Sequence, residues 1–335
     1  MKRDENRKRS GFTLIELLLA ASITAVLSGI LVITVVQILG IWSRSGGAVA
    51  ATGEATRILD QLAQDLDAAV LRPDANSWLV GTVQRDQSGV GDTGMTDADW
   101  TGLTKPAGVA SLRLGAGDLR IDQLRFGQAG LWLRFFTIEP DANDSATNRS
   151  LPRAVAYQIV RRRSGARHAY QLFRSQVRPG GTNSTFSSGY DLLASAYVTP
   201  NGSEQHPGNI RRPNARFLLG NHVIDFGARI FVQGAGGATT LAFPFSAEAG
   251  QSFVATAGTS SIPGYASRPV VRGWPVTVQV MVRILTEEGA RLISNLETGR
   301  VAVPAGQSYD SYWWELAEAH SLVQVRTITP RARVP

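Results

Sequence analysis

Between Leu17 and Ser43 the chain carries no charged side chain for 27 residues. At about 1.5 Å of rise per residue, such a run is long enough to cross a bilayer core, and it predicts a membrane-spanning helix. The segment ATGEATRILDQLAQDLDAAVL follows. It sets Ile58, Leu62, Leu66 and Ala69 at helical spacing, with Asp60, Gln61, Gln64, Asp65 and Asp67 mostly on other faces. That pattern predicts an amphipathic continuation packed on a globular domain, or else a separate surface helix. Gly46 and Gly47 mark a place for a bend or break, and Pro73 marks the end.

Beyond residue 75 the period shortens. Leu119–Phe126 and Leu131–Ile138 read as strands. Ala154–Arg163 and His168–Ser175 read as a hairpin turning at Ser164–Arg167, with Arg162, Arg163 and Arg174 facing solvent. Further strands are expected at Val223–Val232, Thr239–Phe245, Val276–Ile284 and Leu322–Thr329. Val276, Val278, Val280 and Val282 share one face, and Pro275 sets the start of that strand. Ser88–Gly102, Pro179–Ser188 and Pro200–Pro213 read as loops, and Gly234–Gly237 as a turn.

The charge is uneven. The net value is +7, and Met1–Ser10 holds five basic and two acidic side chains. A basic segment before an apolar run stays cytoplasmic, which places everything after Arg44 outside. The remaining arginines alternate with apolar residues in strand-like runs, so nucleic acid is not expected as a partner. There is no cysteine, which excludes disulfides, thiolate metal sites and cysteine nucleophiles. The alternatives for the N-terminal run are a cleaved secretory signal, for which it is long and lacks an A-x-A site, and a buried core helix. Glu16 interrupts the apolar pattern. Either it lies at headgroup depth, or it meets a cationic partner.

Gly11-Phe12-Thr13-Leu14-Ile15-Glu16, with the basic leader before it and the long apolar helix after it, resembles the processing signal of type IV pilins and type II secretion pseudopilins. The resemblance implies cleavage by prepilin peptidase between Gly11 and Phe12, N-methylation of Phe12, and pairing of Glu16 with the N-terminal amine of a neighbouring subunit. It implies an α+β, pilin-like fold, in which a long N-terminal membrane-spanning helix packs on an antiparallel β-rich head. The divisions expected are a leader over residues 1–11, a transmembrane and assembly helix over 12–43, an amphipathic continuation over 44–72 and an extracytoplasmic head over 73–335. Tyr157–Arg163 with Leu172–Arg174, then Leu218–Val223, then Trp274-Pro275, are similar to the larger minor, J-type, pseudopilin. The implied partners are prepilin peptidase, other pilin or pseudopilin subunits and an inner-membrane assembly platform.

Enzyme chemistry finds no constellation. His168, His206, His222 and His320 match no ligand spacing, and there is no G-x-S-x-G elbow. Asp92, Asp97 and Asp99, and Asp141, Asn143 and Asp144, invite a calcium reading but lack an EF-hand spacing, so no metal and no cofactor is expected. The sequence therefore points to a minor pseudopilin-like subunit, not an enzyme, anchored by a single pass in the inner membrane with its head in the periplasm. It would serve a secretion filament or its tip complex. The alternatives are a structural subunit of a type IV pilus-like appendage and a membrane-anchored extracytoplasmic hydrolase.

Overall fold

A computed structural model of the chain describes residues 13–70, 76–84, 100, 103–106, 120–138, 152–165, 167–179, 189–199, 207–233, 237–244, 252–256, 259–261, 271–272 and 275–331. The chain divides into two units, Met1–Gly47 and Ala48–Pro335. Helix α1 (Leu14–Asp67) is 54 residues long and runs through Gly46 and Gly47 without a break. It ends well before Pro73, because the chain turns out of the helix to meet a strand. Ile138 N–H donates to Ala68 O, Val70 N–H donates to Phe136 O, and Ala69 bridges Thr137.

The second unit is built on two antiparallel sheets. The strands of the larger one are β1 (Leu79–Val83), β2 (Leu131–Thr137), β3 (Arg153–Ser164), β4 (Arg167–Val177), β5 (Leu218–Asn221), β8 (Ser252–Thr256), β9 (Thr259–Ser261) and β10 (Val271–Arg272), in the order β10-β9-β8-β1-β2-β3-β4-β5. The smaller contains β6 (Val223–Gln233), β7 (Thr239–Phe243), β11 (Thr277–Leu285) and β12 (Ser321–Ile328), in the order β12-β11-β6-β7. A short helix, α2 (Ser195–Val198), and two longer ones, α3 (Glu287–Glu297) and α4 (Tyr309–Ala319), complete it.

The β3–β4 hairpin turns where the alternation predicts, with Ser164 opposite Arg167 and Gly165 at φ +61°. Val278, Val280 and Val282 of β11 are buried on the core side. Leu119–Phe126 is corrected: Ile121–Gln123 forms a single 3-10 turn, and the backbone after it hydrogen-bonds to Asp225 instead of a strand. Helices α3 and α4 are additions to the sequence reading. Each has a hydroxyl N-cap, Thr286 Oγ1 accepting from Gly289 N–H and Ser308 Oγ from Ser311 N–H.

The main core lies between the inner faces of the two sheets and the second half of α1, with Ile58, Leu62 and Leu66 fully buried as their spacing predicts. Two glycines make this packing possible. A Cβ on Gly220 would sit 2.6 Å from Ile58 Cδ1, and one on Gly227 would sit 2.0 Å from the Phe126 ring. A second cluster, including Trp78, Trp132 and Phe136, covers the other face of the larger sheet beneath the segment that carries Leu192, Tyr197 and Ile210.

Candidate assembly site

Thr13 and Glu16 form a closed pair at the start of α1. Thr13 N–H and Thr13 Oγ1 both donate to Glu16 Oε2 at 2.9 Å, and Glu16 N–H donates to Thr13 Oγ1 at 3.3 Å. This is a reciprocal capping box, in which two of the helix's orphan backbone donors are satisfied by the side chains three residues apart. A carboxylate in the first turn also complements the helix dipole. The signal was visible in the sequence, as Thr-x-x-Glu before an apolar run. Glu16 Oε2 takes both Thr13 bonds. Gly11 and Phe12 lie outside the described residues.

After Glu16, three hydroxyls of the apolar run are absorbed by the helix's own backbone. Ser22 Oγ donates to Leu19 O, Thr24 Oγ1 to Ala20 O and Thr34 Oγ1 to Ile30 O, at 2.8–2.9 Å. Such back-bonding removes the cost of a hydroxyl in hydrocarbon. Leu17, Leu18, Leu19, Val26, Leu27 and Leu31 are each at least 60% exposed, so the apolar surface is presented on all sides. Among the described residues, α1 is the helix long and apolar enough to cross a membrane by length and composition. A single-pass membrane anchor accounts for a surface that water would penalise.

The second half of α1 is fastened to the strands by named groups. Asn221 N–H donates to Glu54 Oε1 at 2.7 Å, and Arg57 donates to Leu219 O, so the free edge of β5 is answered by the helix. Asp60 pairs with Arg326, and Thr56 with Gln324, both on β12. Asp65 is the firmest of these ties. Arg174 of β4 grips both its oxygens, Nε to Oδ2 at 2.7 Å and Nη2 to Oδ1 at 2.9 Å. Tyr157 OH donates to Oδ2 at 2.5 Å, and Thr137 Oγ1 donates to the Asp65 carbonyl at 2.8 Å. Burial, and after it the Asp65 charge, push the Tyr157 phenol well above its usual pKa. Asp65 and Arg174 were expected on solvent faces. Both are instead largely enclosed, because each is the other's counter-ion across the helix–sheet contact.

Two more buried pairs sit in the core. Lys105 Nζ donates to Asp225 Oδ1 at 3.0 Å, and Asp225 also accepts from Phe126 N–H. Arg161 Nε and Nη2 donate to Glu297 Oε2 at 3.0 and 2.8 Å. Glu297 Oε1 accepts from Tyr170 OH at 2.6 Å and from Trp313 Nε1 at 2.9 Å. Tyr170 OH accepts in turn from Lys105 N–H, which links the two pairs. Each carboxylate thus has several donors, the condition under which a buried ion pair is tolerated.

Two of the described histidines serve the backbone. His222 adopts φ +59° between β5 and β6, and its carbonyl accepts from Leu285 N–H. His320 closes the C-terminus of α4, its N–H donating to Leu316 O. His206, Asp92, Asp97, Asp99, Asp141, Asn143 and Asp144 lie outside the described residues. Among the described residues no group of His, Asp or Glu side chains is arranged to hold a metal.

A family model described as the prokaryotic N-terminal methylation motif matches residues 6–32, a span containing Gly11, Phe12 and Glu16. The N-terminus is that of the type IV pilin and pseudopilin family. The pilin-type segment covers the capping box and most of the apolar run. Among solved structures, the chain is similar to a type IV-like pilin from Thermus thermophilus at 10% identity, covering 84% of this chain and 97% of that one, with a TM-score of 0.27. The assignment rests on the motif and not on that likeness. No curated protein matches the chain. A pilin-type N-terminus on a long apolar helix, followed by antiparallel sheets, is the build of a structural subunit that assembles with other pilin subunits.

Proposed function

We propose that the chain is a minor pseudopilin-like subunit, carried by its N-terminal helix into a periplasmic filament or its tip complex that supports protein secretion. The observation that carries this reading is the methylation motif at residues 6–32, set on a helix whose apolar surface is open on all sides. Prepilin peptidase cuts between Gly11 and Phe12 on the cytoplasmic side, and Phe12 becomes the N-methylated first residue. The single-pass helix holds the head in the periplasm until the assembly platform draws the subunit into the filament. A head of two sheets and several long connections favours a tip position, since each repeated shaft subunit has to pack sideways against its copies.

Glu16 has two tasks in this scheme. One is the local cap through Thr13. The other is to meet the Phe12 amine of a neighbour in apolar surroundings, where a charge depends strongly on its partner. Glu16→Gln keeps the acceptor of the capping box and removes the charge. Its mature form is expected to be processed normally and to fail to enter filaments, as measured by shearing and immunoblotting. Normal incorporation of Glu16→Gln refutes the pairing role and leaves the cap.

A further inference from the structure

Of the 34 basic side chains three are lysines, and Lys2 and Lys8 lie in the basic segment that opens the chain. The third, Lys105, is fully buried, and its Nζ is 3.0 Å from Oδ1 of the equally buried Asp225. The Arg161–Glu297 and Arg174–Asp65 pairs use arginine instead. The difference is chemical. A guanidinium keeps its proton inside a protein, whereas a desolvated ammonium can give one up and become a nucleophilic amine.

The surroundings of Lys105 favour that amine. Burial pulls its ammonium below the usual pKa, the Asp225 charge opposes this, and the charges of Arg283 and Arg125 add to the lowering. A neutral amine beside a neutral carboxyl then escapes the cost of two desolvated charges. Phe126 holds both groups through its own backbone. Its N–H donates to Asp225 Oδ2 at 3.1 Å and to Oδ1 at 3.3 Å, and its carbonyl accepts from Lys105 Nζ at 3.4 Å. The centre of the Trp314 ring lies 5.4 Å from Nζ. Amine and carboxyl are thus kept in contact and away from solvent, where fixed proximity replaces collision.

We infer that Lys105 and Asp225 are joined by an intramolecular amide bond. Lys105 passes one proton to Asp225, and the freed Nζ lone pair attacks Asp225 Cγ. The Phe126 N–H donates to the oxygen that takes up negative charge. A second proton moves from the nitrogen to the hydroxyl, the Cγ–O bond breaks, and one water leaves while the C–N bond stays. The reaction requires no oxidant and no activated donor. Its product ties the segment between β1 and β2 to β6, closing a loop of 120 residues.

The full-length protein, extracted in detergent and then denatured, is measured by intact mass. Its mass is expected one water below that of its sequence, whatever its N-terminus. Tandem mass spectrometry of a proteolytic digest is expected to find a branched peptide joining Lys105 to Asp225. Lys105→Arg and Asp225→Ala are each expected to regain the full mass and to lose the branched peptide. If neither variant folds, the wild-type mass and digest decide alone. Wild type at its full sequence mass, with Lys105 and Asp225 recovered on separate linear peptides, overturns the inference. So does a water loss that the digest places at other residues.

Discussion

Replacing Asp65 by Ala removes the carboxylate that accepts from Arg174 Nε and Nη2 and Tyr157 OH at the contact between α1 and the larger sheet, and from Gln61 Nε2 within the helix. The cost can be assembled from its parts. Truncating one partner of a fully buried ion pair costs about 3–5 kcal/mol. The Arg174 side chain is 13% exposed, so water can reach part of the freed guanidinium, and about 2 kcal/mol is the better figure here. The Tyr157 hydroxyl is buried and loses its acceptor, adding about 1–2 kcal/mol. Against this, a carboxylate in the last turn opposes the helix dipole, and removing it returns about 0.5 kcal/mol. The net expectation is about 3 kcal/mol, a large part of a total of about 5–15 kcal/mol. Urea unfolding of the full-length protein in detergent, read by tryptophan fluorescence, measures it. With an m-value of about 3 kcal/mol/M, the midpoint falls by about 1 M. Asp65→Leu combined with Arg174→Leu should recover most of the loss, because no orphaned charge remains. A shift too small to resolve for Asp65→Ala, or a double variant as unstable as the sum of the singles, refutes the claim that this ion pair fastens the helix.

Alkaline pH should expose Tyr157 in a second way. Its pKa is raised in the folded protein, so above about pH 10 the unfolded chain releases a proton that the folded one keeps, and stability falls by about 1.4 kcal/mol per pH unit. Tyr170 acts in the same direction. Lys105 and Arg134, with lowered pKa values, oppose it. The difference between wild type and Tyr157→Phe in denaturant midpoint from pH 9 to 11 isolates the Tyr157 contribution, and equal slopes would contradict it. Gly227→Ala drives a Cβ into the buried Phe126 ring and should cost about 1–3 kcal/mol by thermal or urea unfolding, unless the ring is free to move. Thr13→Val should spare the membrane-spanning run while loosening the first turn of α1, since Glu16 then loses the hydroxyl donor and its own N–H loses its acceptor. Faster amide exchange at Leu14–Leu17 is the readout, and unchanged exchange counts against the capping box.

What could be read ahead of the structure follows from physical range. The anchor was legible because 27 uncharged residues leave few foldings for the segment. The β3–β4 hairpin and β11 were legible because alternation and turn chemistry are local signals. Strands β1, β5 and β8, of four or five residues each, carry too few positions for a period to emerge. Asp65 and Arg174 were placed on the wrong faces for a different reason. Periodicity assigns charges to solvent one element at a time, and their pairing spans 109 residues of sequence. Glu297 and Arg161, 136 residues apart, were hidden in the same way. The capping box was written plainly in Thr13 and Glu16, but the carboxylate's place in an apolar run drew the reading toward an external partner.

The processing of the N-terminus tests the central claim most directly. Intact mass and N-terminal sequencing of the protein extracted from membranes with active prepilin peptidase should show a chain running from Phe12 to Pro335, carrying one methyl group on the Phe12 amine. Recovery of the uncut chain beginning at Met1, or a cut after the apolar run, would contradict the account.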